Sequence, residues 1–258
     1  MNRYDLICSL GGNCSVAHNL LYRGLRKFAL PFDWTYFEDI SAIYKLAESF
    51  EVKFADQLKK ENLVELPVNT AHPDKIQYLD LATNIIWANH FTSNDLCEYE
   101  SVKKKIDRRF KRLLDCIGKS NSILFIFASN KEIEIKPFKY LYQKLAKLYP
   151  SKNITIKIIA FNCDSDLIIN SDNIELLKFK RGQNLYDFSQ TNYEWSFLDN
   201  LELTNNIINE SKFKLFKILF IKRGVKINIF PIIRTTVFSV KLYLFGLKFN
   251  FTLGKERN

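Results

Sequence analysis

The stretch that decides the fold is Tyr4–Gly24, with the sequence YDLICSLGGNCSVAHNLLYRG. Tyr4–Leu10 is apolar and short enough for a buried strand, and the segment Gly11–Asn13 is typical of a tight turn. Ser15–Gly24 then carries apolar residues at helical spacing and closes on a glycine, a common helix end. The pattern predicts a strand that turns sharply into a helix, with Cys14 where the helix begins.

The same two periodicities continue along the chain. The clearest helix is Glu98–Ile117, whose apolar residues recur every three or four positions opposite a face of Lys and Arg. Further strands are predicted at 84–90, 123–128, 154–161 and 173–178, and further helices at 38–50 and 137–149. Strands that alternate with helices between 84 and 161 predict a parallel sheet covered by helices.

We therefore predict an α/β fold, with a mostly parallel sheet flanked by helices in a three-layer sandwich. The predicted domains are 1–205, which carries the sheet, and 206–258, a basic C-terminal appendage. A hydrophobic content of 47% in 258 residues supplies enough apolar material for a core.

The charge of +10 is concentrated at the C-terminal end. Residues 212–258 hold 11 of the 38 basic residues and 1 of the 28 acidic ones, so the rest of the chain has 27 of each. This distribution argues against a nucleic-acid-binding domain. Lys212–Arg223 is expected to be an amphipathic helix and Lys241–Phe251 a hairpin or a last strand. The segment either packs with its lysines in solvent or contacts an anionic membrane surface.

The cysteines and the first residues suggest a compartment. Five widely spaced cysteines, without CxxC or a Cys/His cluster, predict reduced thiols and neither a metal nor a cofactor. The first residues lack a signal-peptide pattern, and no apolar run reaches the length of a membrane span. We expect a cytoplasmic protein, with peripheral contact to the inner face of the membrane if the basic segment binds lipid.

Cys14 is the strongest candidate for chemistry. A cysteine at a helix start has its thiolate favoured by the dipole and by free amides, so its pKa is expected to fall. Gly11 and Gly12 allow close approach of a substrate, and the amides near Gly12, Asn13 and Cys14 could hold an oxyanion. The alternative is that Cys14 is a small core residue beside a glycine turn.

A thiol nucleophile usually needs a base, and the chain has three histidines. His90 is the first choice because it ends a predicted strand, where parallel sheets gather functional groups. His18 lies one turn after Cys14, but its ring is expected to stack along the helix. His72 is expected to be solvated in a loop. The absence of histidine after residue 90 excludes serine esterases that need a late Asp–His pair.

Three further features have two interpretations each. Asp33 either accepts amide hydrogen bonds in a turn or orients a catalytic group. Trp34 is expected either in a core or pocket wall or as a stacking platform for sugars. Arg108, Arg109 and Arg112 form either a phosphate-binding cluster or a solvated helix face.

A family resemblance is carried by three short stretches: YDLICSLGGNC at residues 4–14, Gly24-Leu25-Arg26 and Pro31-Phe32-Asp33-Trp34. These stretches resemble a bacterial family of unknown function classed as papain-like cysteine peptidases. Weaker similarity continues through Asn89-His90-Phe91, the arginines of the long helix and the strand 123–126, to about residue 200. The resemblance implies that Cys14 is the nucleophile and His90 the base. Candidates for a third, orienting residue are Asp95, Asn130 and Asn162. The resemblance also implies a setting among genes for surface polysaccharides.

Three functional hypotheses follow. The first is a cysteine-dependent hydrolase or acyl-transfer enzyme that acts on a small molecule, a glycan or a peptide. The second is a transferase of surface-polysaccharide assembly that uses an activated sugar or acyl donor, with the arginines binding phosphate. The third is a non-catalytic accessory module of that pathway.

Overall fold

The chain divides into two compact units in a computed structural model, Met1–Ile207 and Ile208–Asn258. In the first unit the structure describes residues 2–67, 75–92, 95–180 and 193–204, and in the second it describes the backbone of four strands. His72 lies outside the described residues.

The described part of the first unit alternates strands and helices. Its α-helices are α1 (Ser15–Tyr22), α2 (Ser41–Glu51), α3 (Tyr99–Lys119) and α4 (Lys136–Leu148), and short 3-10 helices cover Pro31–Trp34, Lys60–Asn62 and Tyr193–Asn200. Its strands are β1 (Asn2–Tyr4), β2 (Leu6–Ser9), β3 (Thr35–Phe37), β4 (Leu63–Glu65), β5 (Ile76–Asp80), β6 (Ile85–Phe91), β7 (Ser122–Ser129), β8 (Asn153–Ala160), β9 (Leu167–Ser171), β10 (Ile174–Lys178) and β11 (Leu201–Leu203).

The central sheet has five strands in the order β2-β7-β8-β10-β9. The first four are parallel, and β9 joins the edge antiparallel to β10. The predicted mostly parallel sheet is therefore confirmed, whereas the three-layer arrangement stays a prediction. A separate parallel pair joins β1 to β11.

Both faces of the central sheet are apolar because side chains alternate along buried strands. On β7, Phe125 and Phe127 belong to one hydrophobic cluster, which also contains buried residues of α2, α3 and α4. Leu124 and Ile126 face the opposite way and pack in a second cluster with α1 and the 3-10 helix Tyr193–Asn200. Of the apolar residues of α1, Val16, Ala17 and Leu20 are buried, whereas Leu21 is exposed.

The longest helix, α3, follows its sequence pattern closely. The buried residues predicted from the three- and four-residue spacing lie on one face, and they include Val102, Ile106, Phe110, Leu113 and Ile117. The opposite face carries exposed lysines and arginines. The helix ends at Ser120, whose hydroxyl donates to the Cys116 carbonyl at 2.7 Å.

A second sheet corrects one prediction. β6 was expected in the parallel sheet, but it lies in an antiparallel sheet of order β3-β6-β5-β4. The short strands β4 and β5, from a stretch whose sequence looks irregular, supply its neighbours. The β5–β6 register shifts between Ile76 and Tyr78.

The second unit contains two antiparallel hairpins among the strands that the structure describes. Ile218–Lys222 (β12) pairs with Val225–Ile229 (β13), and Ser239–Leu244 (β14) pairs with Leu247–Thr252 (β15). The predicted helix over Lys212–Arg223 is therefore wrong for Ile218–Lys222, because a run of branched and aromatic residues favours a strand. The hairpin prediction for the last stretch agrees with the paired strands. Among the described residues, no helix is long and apolar enough to cross a bilayer.

Candidate active site

The turn after β2 carries the chain from the central sheet into α1. Gly11 and Gly12 have φ angles of 90° and 86°, a region that L side chains rarely adopt. A Cβ on Gly12 would overlap the carbonyl oxygen of Ala128, at the end of β7, and one on Gly11 would crowd the Thr35 hydroxyl. Both positions therefore require glycine for their conformation and for space.

Asn13 fixes the start of the helix. Its buried side-chain oxygen accepts a hydrogen bond from the Ser15 amide at 3.0 Å and another from the Ser15 hydroxyl. Its amide nitrogen donates to Asn130 Oδ1 at 3.4 Å, just beyond β7. Asn162 donates in turn to the Asn130 carbonyl at 2.9 Å. Two of the three candidate orienting residues therefore lie beside the turn that holds Cys14, whereas the third, Asp95, is exposed.

Cys14 precedes α1 as its N-cap residue, and its thiol is partly exposed. The hydroxyl of Tyr36, on β3, donates to Cys14 Sγ at 3.8 Å. Burial raises the pKa of the thiol, and the bonds from Tyr36 and from the Cys14 amide only partly offset that rise. The predicted low pKa is therefore wrong, because desolvation outweighs the helix start, and the thiol is protonated at neutral pH.

His18 lies one helical turn after Cys14, and its amide donates to the Cys14 carbonyl at 3.1 Å. Its partly exposed ring meets the ring of Trp34 edge-on, with centroids 4.8 Å apart. Burial and the charge of Arg26 lower the pKa of His18, so its imidazole is neutral at pH 7 and can accept a proton. The structure thus brings Cys14, His18, Trp34 and Tyr36 to one partly exposed surface.

Tyr36 was missed by the sequence reasoning. The signal was the alternation along β3, in which Tyr36 points away from the side of its buried neighbour Thr35. A short strand after a proline turn is hard to recognise from sequence alone.

Asp33 is held in place by Arg26. The carboxylate is 2% exposed, and its Oδ2 accepts from Arg26 Nε at 2.9 Å, Arg26 Nη2 at 2.7 Å and the Leu30 amide at 2.8 Å. Burial raises the pKa of Asp33, against the lowering effect of these partners. The Arg26 guanidinium also lies 6.0 Å from the centroid of the Trp34 ring. Asp33 therefore positions Arg26 and the Pro31–Trp34 turn.

His90 lies in a different environment. Its ring is 7% exposed, sits 5.9 Å from the ring of Trp87, and has an Nε2 without a hydrogen-bond partner. Burial, Arg109 and Lys105 lower its pKa to about 3.

The strand register places His90 further along β6 than the partner of Tyr36. Tyr36 is the register partner of Ile86, and His90 comes four residues later, roughly 13 Å along an extended strand. No hydrogen bond joins Cys14 and His90 within the part of the chain that the structure describes.

The three arginines of α3 have three different surroundings. Arg108 is exposed, and Arg109 is partly buried in the field of Asp33. Arg112 donates to the Ala29 carbonyl at 2.9 Å and lies over the ring of Phe28. Arg112 therefore ties α3 to the loop before Pro31–Trp34.

The Gly12 amide is the candidate for holding an oxyanion. The Gly11 amide donates to Ser9 Oγ, the Ser15 amide to Asn13, and the Cys14 amide acts on its own thiol, whereas the Gly12 amide makes no backbone hydrogen bond within the described residues. No group of three or more His, Cys, Asp and Glu side chains in the described ranges is arranged to hold a metal ion.

Comparison with known proteins agrees with the sequence resemblance. A family model described as "Putative papain-like cysteine peptidase" matches residues 5–164, which contain the whole Cys14 surface. An uncharacterized protein of Acanthamoeba polyphaga mimivirus is 25% identical over 178 residues, covering 62% of this chain and 78% of the viral protein. That relative is viral, so the comparisons do not support the bacterial description of the family. No solved structure matches the chain significantly.

Proposed function

The chain belongs to the family whose model is described as "Putative papain-like cysteine peptidase", and on that premise we propose that it is a cysteine-dependent hydrolase or acyl-transfer enzyme with Cys14 as nucleophile. The observation that carries the proposal is the partly exposed Cys14 thiol, which accepts a hydrogen bond from Tyr36 with His18 one turn away.

The raised pKa of Cys14 implies a general-base mechanism. The neutral imidazole of His18 takes the thiol proton as Sγ attacks a carbonyl carbon, and the Tyr36 hydroxyl stabilises the developing thiolate. In this proposal the Gly12 amide donates to the negative oxygen of the tetrahedral intermediate. The carbon–leaving group bond then breaks, the imidazolium returns its proton to the leaving group, and water or another acceptor removes the acyl group.

We assign the base to His18 in preference to His90. Adjacent turns place residues four apart on the same side of a helix, about 5–6 Å between their Cβ atoms, so small side-chain movements bring thiol and imidazole together. His90 is buried among cations, and a pKa of about 3 makes it a weak proton acceptor at neutral pH. A Cys14–His90 pair is the competing assignment.

The first test is acylation by p-nitrophenyl acetate, followed by nitrophenolate release and by intact-mass spectrometry. We expect Cys14 to be acetylated in the wild type, and equally in C97A, which removes an exposed thiol. The C14A protein should lack this acetyl group. Loss of a general base costs about 10²–10⁴ in rate, so H18Q should slow acylation by at least about 100-fold. H90Q should stay within a few-fold of the wild type.

Two results would overturn these assignments. Equal acetylation rates in C14A and the wild type would remove the proposed nucleophile. A large loss in H90Q with little change in H18Q would return the base to His90, provided that H90Q keeps the wild-type circular dichroism. The natural acyl donor, and the surface-polysaccharide setting that the resemblance implies, stay predictions.

A further inference from the structure

The end of β6 meets the middle of α3 at a group of basic side chains outside the Cys14 surface. Lys105 and Arg109 lie four residues apart on α3, and both lower the pKa of His90. Burial and cationic neighbours also lower the pKa values of Lys105 and Arg109 themselves. The Trp87 ring lies 5.9 Å from the His90 ring and 6.2 Å from the ring of Phe110, the α3 residue next to Arg109, so these basic groups lie where β6 packs on α3.

The site also collects buried polar atoms without partners. Among the described residues, six buried side-chain nitrogen or oxygen atoms lack a hydrogen-bond partner, and three of them are Trp87 Nε1, His90 Nε2 and Arg109 Nη1. Trp87 is fully buried and His90 is 7% exposed. Leaving a buried polar group unpaired is costly, so three of them along the contact between β6 and α3 indicate a missing partner.

The chemistry of these atoms defines that partner. Trp and Arg only donate hydrogen bonds, and a histidine beside an anion becomes a donor as well. The ligand must therefore be an acceptor with several oxygens.

The charge balance favours an anion over water. The nearby carboxylate of Asp33 is already bound by Arg26 and by the Leu30 amide. Glu98, which acts on Lys105, accepts hydrogen bonds from the amide and hydroxyl of Thr92. Lys105 and Arg109 form no ion pair with the described residues. Two cations are thus left without a matching carboxylate.

We propose that Trp87, His90, Lys105 and Arg109 form a binding site for an oxyanion of the phosphate class. Arg109 offers its planar fork, Lys105 a point charge, and Trp87 and His90 single N–H donors to a tetrahedral group. His90 is a ligand-binding residue in this site, and the assignment does not depend on the reactivity of Cys14.

The surroundings separate this site from the other arginines of α3. Arg112 is committed to Ala29 and Phe28, and Arg108 is exposed. Arg26 acts on both Arg109 and His18, so the oxyanion site and the Cys14 surface have the Arg26–Asp33 pair as a common neighbour.

The experiment titrates inorganic phosphate into the full chain with its histidine rings labelled with ¹⁵N, at pH 7 and constant ionic strength set with chloride. H90Q, H18Q and H72Q assign the three ring signals. We expect the His90 signals to shift saturably, towards the imidazolium form, because a bound anion raises the pKa of His90. Phenyl phosphate in place of inorganic phosphate then shows whether the group is bound alone or on a larger molecule.

The basic residues provide matched controls. K105Q and R109Q should each weaken phosphate binding at least about tenfold, the cost of one charged hydrogen bond. K104Q and R108Q change the net charge equally at neighbouring exposed positions and should bind like the wild type. C14A should also bind like the wild type, which separates this site from the proposed catalysis.

The proposal is wrong if phosphate leaves the His90 signals unchanged or shifts them without saturation. Equal weakening by K104Q and K105Q would likewise show a general charge effect and overturn it. K105Q, at the more exposed rim, keeps the test valid if R109Q does not fold.

Discussion

The turn around Cys14 and the end of β6 around His90 differ in whether their polar groups have hydrogen-bond partners and reach solvent. Around Cys14, Asn13 satisfies the helix start, Tyr36 donates to the thiol, and the chemical groups reach solvent. Around His90, buried nitrogens of Trp87, His90 and Arg109 are unpaired, and Lys105 adds a second cation. Asn13 and Cys14 therefore have hydrogen-bond partners within the chain, whereas the second region has three buried polar atoms for which the proposed ligand would be the partner.

The largest effect should come from the glycine turn that holds the first region. G12A combines a left-handed backbone, which costs about 1–2 kcal/mol, with a clash against the Ala128 carbonyl. We expect the free energy of unfolding, measured in urea, to fall by at least about 3 kcal/mol or folding to be lost.

Two other glycines are controls for G12A. Gly24 also has a positive φ, 68°, but a methyl group added there would meet nothing within 4 Å, so G24A should cost only about 1–2 kcal/mol. Gly118 lies inside α3 with open space, so G118A should stabilise the protein by about 0.5–1 kcal/mol. Equal stability of G12A and G24A would show that the turn has room to move away from β7.

The next largest effect is a loss of stability at low pH, caused by His90 in the second region. His90 has a pKa of about 3 in the folded chain and about 6.5 when unfolded, so below pH 6.5 the unfolded state binds the extra proton. Stability should therefore fall as the pH drops, by about 2 kcal/mol between pH 7 and pH 5 from this residue. Urea unfolding of wild type and H90Q at both pH values measures it.

The H90Q variant should lack the part of the pH dependence of stability that comes from His90, whatever its stability at pH 7. H18Q removes a histidine that is partly exposed and should change the slope less. A slope that is the same in H90Q and wild type would mean that folding leaves the pKa of His90 unchanged, in contradiction to its burial among cations. Phosphate should flatten the wild-type slope if it binds there, because it favours the charged imidazole.

The sequence predicts the first region better than the second. The glycine turn, α1 and the apolar stripe of α3 follow from local patterns, because the chemistry that fixes them lies within a few residues. The antiparallel partners of β6 do not, since β4 and β5 are short and their pairing is set by tertiary contacts. His90 was therefore assigned to the wrong kind of sheet.

The environment of Cys14 shows the same limit. Its position at a helix start is readable in the sequence, but its pKa depends on Tyr36 and on burial by elements that the local pattern does not contain. The motif singles out Cys14 as the proposed nucleophile, whereas the fold raises the pKa of its thiol, so that attack by this thiol would need a base.

The smallest expected effect concerns the pKa of the Cys14 thiol and its hydrogen bond from Tyr36. Alkylation of Cys14 by iodoacetamide should follow the thiolate, with a midpoint above the ordinary value of about 8.5 because burial raises the pKa of the thiol. Y36F removes the hydrogen bond to Sγ and raises that pKa further. At pH 8 its alkylation rate should fall by a factor of roughly 3 to 10, the value of one hydrogen bond.

Cys97 is exposed and distant in sequence, so its alkylation rate in the same sample measures the reactivity of the reagent. This rate should be equal in both proteins. Faster alkylation of Cys14 in Y36F would mean that Tyr36 mainly shields the thiol from the reagent. A wild-type midpoint well below 8.5 would mean that a preformed thiolate, and not base-assisted attack, is the reactive state. The comparison between the two regions would then change, because both histidines would be free of a proton-transfer role.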